Sequence, residues 1–143
     1  MIVGFIINKT LNGKRYIPKD TKSAFCPKCG AKLLLNFENP DFKIKQSADL
    51  TLTADGFIIG TRKIKEVVEK HALPGLCFSE IRQSPGCFLV SSSRIVEFDS
   101  RRANTDFLDF CSECEQYESI VGTYPPFLKW TKTPLSSGFY RTD

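Results

Sequence analysis

Four cysteines arranged as two Cys-x-x-Cys motifs place the strongest constraint on how this chain can fold. The first motif comprises Cys26 and Cys29, the second comprises Cys111 and Cys114, and 81 residues separate the two. Four thiolates are the complete ligand set of a closed tetrahedral zinc site, and a two-residue spacer lets both sulfurs of one motif reach the same metal. We therefore predict one structural Zn²⁺ bound by Cys26, Cys29, Cys111 and Cys114.

The wide separation of the two motifs gives this zinc ion an architectural role. Compact four-cysteine zinc fingers separate their pairs by about 15–20 residues, whereas here most of the chain lies between them. We expect a split, zinc-ribbon-like clamp that joins the N-terminal and C-terminal parts. Two unrelated thiol pairs or a redox motif are the alternatives. A thioredoxin-like site would need its motif at a helix N-terminus in a βαβ setting, and neither motif has that pattern.

Length and composition fit a single domain over residues 1–143. With 143 residues, 41% hydrophobic content and twelve Phe, the chain can bury about two-thirds of its unfolded surface. No apolar run approaches the roughly 20 residues of a membrane span. The apolar start Ile2–Asn8 is predicted to be a strand rather than a signal peptide. Because paired Cys-x-x-Cys motifs favour metal binding where thiols stay reduced, we expect a cytoplasmic protein with no membrane partner.

The hydrophobic pattern predicts an α+β fold, with an antiparallel sheet and one main helix. The helical spacing of Ile64, Val67 and Val68 predicts a helix over 61–73 whose apolar face points inward, and Thr61 is the expected N-cap. Short apolar runs bounded by turn residues predict the strands. These are Ile2–Asn8, Ala31–Phe37, Leu50–Thr53, Phe57–Ile59, Leu76–Ile81, Cys87–Ser91, Ile95–Phe98, Phe107–Phe110 and Ile120–Val121.

Charge is unevenly distributed along the chain. Residues 1–45 hold nine basic residues against three acidic ones, whereas residues 97–118 hold seven acidic residues against two basic ones. If one zinc ion joins the motifs, a basic segment meets an acidic one there, and this favours docking although exposed charge pairs contribute little individually. The same distribution argues against a broad single-sign surface for nucleic acid.

The other candidate functional residues have structural explanations. Cys77 and Cys87 flank a predicted hairpin and are expected to be buried apolar side chains rather than ligands. His71, the only histidine, is expected to be a charge at the helix C-terminus or a packed ring. The Pro-rich tail is predicted to form no long regular element. Its aromatic residues either form a binding patch or pack over the core: Tyr124, Phe127, Trp130, Phe139 and Tyr140.

The sequence offers little for catalysis. One histidine, no nucleophile elbow and no phosphate-binding glycine loop leave few groups for acyl or phosphoryl transfer. A zinc ion held by four thiolates has no open coordination position at which to activate water. We therefore expect a non-enzymatic binding protein.

The order of the motifs resembles a bacterial family. Between the two cysteine pairs lie Asp55–Ile59, the helix Thr61–Lys70 and the segment Leu73–Ile81. This order is similar to that of the bacterial double-CxxCG motif proteins, and the likeness spans residues 25–120. Membership implies that the four cysteines bind one zinc, and some members look like immunity proteins that neutralise a cognate toxin of the same bacterium. Glu115 stands where the motif has a glycine.

Two functions of different classes follow as expectations. The first is an immunity protein whose partner is a cognate toxin. The alternative is a zinc-ribbon protein associated with nucleic acid, which the four-thiolate site and the basic first third favour. Basic residues interleaved with exposed aromatics on one face would indicate nucleic acid, but here they are scattered and the second motif is acidic. We expect a protein partner in preference to nucleic acid.

Overall fold

A computed structural model describes residues 7, 9–34, 36–45, 48–132 and 134–143 of the chain. Over these residues the fold is α+β, with a mostly antiparallel main sheet and one main helix, as predicted. The chain divides into two compact units. The first, which we call the sheet unit, comprises Met1–Tyr16, Asn39–Ala72 and Cys77–Ser91. The second, the cysteine unit, comprises Ile17–Glu38, Leu73–Leu76 and Ser92–Asp143. That residues 1–143 form a single domain stays a prediction.

The described residues of the sheet unit form five strands. In chain order these are β1 Thr10–Leu11, β2 Leu50–Leu52, β3 Ile58–Thr61, β4 Leu76–Glu80 and β5 Cys87–Ser92. Their order across the sheet is β1-β2-β3-β5-β4. Strand β1 runs parallel to β2, whereas β2 with β3 and β3 with β5 are antiparallel.

Two threonines lie at the centre of the sheet unit. Thr51 and its cross-strand partner Ile59 are fully buried, and Thr53 is almost so. Burying a hydroxyl is unfavourable unless it is hydrogen-bonded. Here the side-chain amide of Asn12 donates to Thr51 Oγ1 at 2.9 Å, and the backbone N–H of Phe57 donates to Thr53 Oγ1 at 2.8 Å. The buried hydroxyls of Thr51 and Thr53 therefore both have hydrogen-bond partners.

The main helix, α1 Arg62–Lys70, follows β3 directly. Thr61 occupies the N-cap position as predicted, but its hydroxyl donates to Asp49 Oδ1 at 3.1 Å instead of accepting from a helix N–H. Val68 is buried and Ile64 is half-buried, in line with the predicted inward face. Val67 is 44% exposed, so that part of the prediction is wrong. The apolar stripe of this short helix is narrower than the sequence pattern suggested.

The cysteine unit contains short strands and two short helical segments. The strands are β6 Ile95–Val96, β7 Asp106–Cys111, β8 Gln116–Val121 and β9 Arg141–Thr142. Strands β7 and β8 form an antiparallel hairpin, and β6 pairs with β9 in parallel. A 3₁₀ turn covers Lys22–Ala24, and the four-residue helix α2 covers Ser100–Ala103.

Over its described residues, 122–132 and 134–143, the C-terminal tail forms no long regular element, as predicted, but backbone contacts hold part of it in place. The N–H of Phe139 donates to Pro74 O at 2.8 Å, and the Arg94 guanidinium lies 4.4 Å from the ring centre of Tyr140. Gly75 has φ of 106°, and a Cβ there would collide with the carbonyl oxygen of Phe139. Position 75 therefore requires glycine, because the tail passes too close to the backbone there for any side chain.

Several sequence predictions differ from the structure. The strand predicted at Ile2–Asn8 lies, except for Ile7, outside the described residues. The strand predicted at Ala31–Phe37 is wrong for the described residues there, because only Lys32 pairs, in an isolated bridge to Phe25. Lys22–Ala24, just before Phe25, form a 3₁₀ turn rather than an extended strand, so the segment can pair only at Phe25. Strand β1 and helix α2 were not predicted. None of the described helices is both long and apolar enough to cross a membrane.

The different burial of Val67 and Val68 gives a matched test of the helix. Val68→Asp would bury an unpaired carboxylate and is expected to lower the free energy of unfolding by about 3 kcal/mol. Val67→Asp places the same charge on the exposed side and should cost less than about 1 kcal/mol. Urea denaturation of both variants measures the difference. Equal losses would mean that the helix packs through a different face.

Candidate metal centre

The four cysteines of the two Cys-x-x-Cys motifs converge in the cysteine unit. Their sulfur atoms all lie within 4.8 Å of one another. The Cys26 and Cys111 sulfurs are 3.8 Å apart, and those of Cys29 and Cys114 are 3.5 Å apart. All four are free cysteines. The predicted ligand set is thus brought together across 81 intervening residues, and it could hold a metal ion.

The sulfur separations fit metal binding better than disulfide bonding. A disulfide joins sulfurs at about 2.05 Å, far below the distances found here. A regular tetrahedron with Zn–S bonds of about 2.3 Å places its sulfurs about 3.8 Å apart, close to both measured pairs. Thiolates are soft ligands that select ions such as Zn²⁺ over Mg²⁺ or Ca²⁺. The donor set and its spacing therefore fit one four-coordinate ion.

The two cysteine loops share one backbone geometry. In the first, the N–H of Gly30 donates to Cys26 O at 2.9 Å, and in the second the N–H of Glu115 donates to Cys111 O at 2.8 Å. Gly30 has φ of 75° and Glu115 has φ of 55°. Both loops thus close through a left-handed residue directly after the second cysteine. Glu115 adopts the conformation that glycine supplies in the first loop, despite its side chain.

Different elements hold the two loops in place. The first loop is closed by a hydrogen bond from Cys26 N to Ala31 O of 2.8 Å. The second is the turn of the β7–β8 hairpin, in which Cys111 pairs with Gln116. In each loop the first cysteine is buried and the second is half-buried. Each loop therefore contributes one deep and one shallower sulfur.

Without metal, the thiols of the cluster differ in acidity. The backbone N–H groups of Cys29 and Lys28 lower the pKa of Cys26 to about 7. Burial, followed by the neighbouring Cys29 thiol, raises the pKa of Cys114 to about 12. The N–H of Ala31 lowers the pKa of Cys29, but burial and the Cys111 and Cys26 thiols outweigh it, so the net direction is upward. Binding an ion as four thiolates must therefore displace protons.

The attraction expected between the basic first cysteine loop and the acidic second one is found only as a hydrogen bond to a neutral side chain. The Lys28 ammonium donates to the Ser112 hydroxyl at 3.4 Å, and both groups are exposed. Among the residues that the structure describes, no ion pair joins residues 26–30 to residues 111–115. The convergence of the sulfurs therefore does not rest on salt bridges between the loops. Sequence patterns gave no signal for the contact between Lys28 and Ser112.

The remaining cysteines and the histidine lie outside the four-sulfur cluster. Cys87 is buried as expected, and burial raises its pKa. Cys77 is exposed, so its predicted burial is wrong. Strand β4 alternates with period two, and its half-buried positions are Leu76 and Phe78, which turns Cys77 to the other face. His71 is exposed at the C-cap of α1.

Comparisons with known proteins add no further assignment. No family model, no curated protein and no solved structure matches the chain. The functional argument therefore starts from the four sulfurs and the surfaces around them.

The left-handed backbone at Glu115 predicts a stabilising substitution. A non-glycine residue in the left-handed conformation destabilises the folded state by about 1–2 kcal/mol. Glycine removes this strain, but its greater freedom in the unfolded chain lowers stability by about 0.4–1 kcal/mol. Glu115→Gly should therefore raise the free energy of unfolding by about 0.5 kcal/mol. Glu113→Gly is the matched control, because Glu113 is an exposed residue of the same loop without a positive φ. It should lower stability, and a stabilising Glu113→Gly would contradict the argument. Denaturant titration of both variants measures the two changes.

Proposed function

We propose that the protein binds one structural Zn²⁺ through Cys26, Cys29, Cys111 and Cys114. The observation that carries this proposal is the convergence of four free sulfurs within 4.8 Å. With all four positions filled by thiolates, the ion would cross-link the two loops and leave no open position for water or substrate. The metal would then contribute stability rather than chemistry, and the protein would be non-enzymatic.

We further propose that the protein acts by binding a protein partner, as an immunity protein that neutralises a cognate toxin. Two arguments support this. The order of the cysteine pairs, the strand, the helix α1 and the segment Leu73–Ile81 resembles the double-CxxCG motif proteins, some of which look like immunity proteins. A closed metal site also gives a small fold a firmly held surface, and tight binding needs anchors on a preorganised scaffold.

The zinc proposal predicts how metal content responds to single cysteine substitutions. Purified protein should contain about one equivalent of zinc, and Cys111→Ser should lose most of it and several kcal/mol of unfolding free energy. Cys87→Ser is the matched control, because Cys87 is also buried but lies outside the cluster. It should keep its zinc. Elemental analysis together with thermal unfolding measures both variants.

Two results would overturn the ligand assignment. One is a wild-type protein that contains well under one equivalent of zinc after growth in zinc-supplemented medium. The other is a Cys87→Ser variant that loses its metal while Cys111→Ser retains it.

The immunity proposal predicts protection in cells. If a neighbouring gene encodes a toxin, co-expression of this protein should rescue growth, and the two products should co-purify at high salt. Cells that die equally fast with and without the protein would count against immunity. Salt-sensitive binding to generic RNA or DNA would instead favour the zinc-ribbon alternative, since phosphate contacts weaken steeply as salt rises.

A further inference from the structure

The β7–β8 hairpin leaves its large apolar side chains about half exposed. Six of them are between 44% and 56% exposed. An isolated two-stranded hairpin is only marginally stable in water. The apolar surface that this hairpin leaves exposed does not contribute to its stability. Exposed contiguous apolar patches commonly mark interaction sites. The six residues are Phe107, Leu108, Phe110, Tyr117, Ile120 and Val121.

Three of these residues form an exposed aromatic cluster. The ring centre of Tyr117 lies 5.2 Å from that of Phe107 and 5.1 Å from that of Phe110. In a regular strand, Phe107 and Phe110 would point to opposite faces, because they are three residues apart. Between them Asp109 has φ of 55°, while the register stays constant on either side of it, with Leu108 opposite Ser119 and Phe110 opposite Tyr117. The left-handed backbone of Asp109 lets both rings meet Tyr117.

The charge that the hairpin itself carries has one sign. Residues 106–121 contain five acidic residues and no Lys, Arg or His. All five are exposed, and none forms an ion pair within the described part of the chain. The hairpin therefore combines an aromatic cluster with unpaired negative charge. The acidic residues are Asp106, Asp109, Glu113, Glu115 and Glu118.

We infer that the β7–β8 hairpin is the docking surface for a basic protein surface with apolar pockets. This inference rests on the proposed function and specifies the chemistry of the partner. Complementary charge steers association and disfavours wrong partners. Nucleic acids and anionic lipids are repelled by five carboxylates. A second copy of the chain would bring its own five carboxylates to the same face, which disfavours self-association.

Both ends of the hairpin are held in the structure. At the turn, Cys111 and Cys114 belong to the four-sulfur cluster. At the base, the Thr105 hydroxyl donates to Gly122 O at 3.2 Å. Fixing both ends lowers the ordering cost of binding, which is the usual benefit of preorganisation. The hairpin can therefore present its aromatic cluster without further packing.

The other exposed aromatic residues fit this role less well. Tyr124 and Trp130 are 80% and 84% exposed, but no aromatic ring contact joins them among the described residues. The Arg102 guanidinium lies over the ring of Phe127, 4.7 Å from the ring centre. Trp130 therefore serves as a control for a large exposed ring outside the hairpin.

The direct test is titration of ¹⁵N-labelled, zinc-loaded protein with a synthetic amphipathic peptide built from Lys and Leu. The same peptide with Glu in place of Lys is the charge control. Only the Lys–Leu peptide should bind, and its chemical-shift changes should fall within residues 106–121. Phe110→Ser and Glu118→Lys should each weaken binding about tenfold. Trp130→Ser should leave the affinity within about twofold.

Each other outcome overturns the inference. Shift changes outside the hairpin, equal binding of the Glu–Leu peptide, or loss of binding in Trp130→Ser would place the docking surface elsewhere. Concentration-dependent dimerisation that Phe110→Ser abolishes would identify a second copy as the occupant. Phe110→Ser and Glu118→Lys should both fold, because Phe110 and Glu118 are exposed. A ¹⁵N spectrum that matches that of the wild type outside the substituted site verifies this for each variant.

The hairpin inference and the immunity proposal can fail separately. If the protein rescues cells from a toxin, but rescue depends on Trp130 and not on Phe110 or Glu118, immunity stands and the hairpin inference is wrong. If the Lys–Leu peptide binds the hairpin as expected but no rescue occurs, the docking surface stands and the immunity proposal fails.

Discussion

The convergence of four sulfurs from two distant loops is the constraint on which the cysteine unit depends. Bringing residues 26–29 to residues 111–114 closes a loop of 81 residues, and the entropic cost of closure rises with the logarithm of loop length. Among the described residues, no ion pair between the two loops offsets that cost. An ion bound by the four sulfurs would offset it, because metal binding energy in such sites is folding energy.

The same cluster explains how an exposed hairpin can persist. Ten of the twelve residues of β7 and β8 are exposed, and their large apolar side chains keep 44–56% of their surface in solvent. Hydrophobic burial therefore supplies only part of the stabilisation that full burial would give. The turn that joins them carries two of the four sulfurs, so an ion bound there would fix the strand ends in register. An ion bound at this cluster would in this way determine the shape of the hairpin surface.

The sequence was most informative where the relevant interactions are local. The clustering of the four cysteines was predictable because each pair is encoded within four residues and two such pairs supply a complete set of metal ligands. Helix α1 was predictable because helical periodicity is a local signal, although Val67 turned out to be exposed. Strand β1 was not, because its two residues pair with β2, which lies 41 positions further along the chain.

Burial within the sheet unit shows a second limit of sequence patterns. Alternation in Leu50–Thr53 indicates a strand with two different faces, but not which face is buried. The structure buries Thr51 and Thr53 and leaves the leucines half-buried. Thr51 is satisfied there by Asn12, 39 positions away. A hydrophobicity pattern alone would favour the opposite face, because a partner so distant in sequence gives no local signal.

Left-handed residues connect the four-sulfur cluster to the proposed docking surface. Asp109 and Glu115 both have positive φ without being glycine, and such conformations are strained for residues with a Cβ. Glu115 closes the second cysteine loop, and Asp109 brings Phe107 and Phe110 to the same tyrosine. Strain of this kind persists only where the surrounding structure fixes the backbone, and it clusters at functional sites. Here the four-sulfur cluster lies at the hairpin turn, two residues beyond Asp109. The two left-handed residues therefore link the acidic aromatic surface of the hairpin to the four-sulfur cluster at its turn.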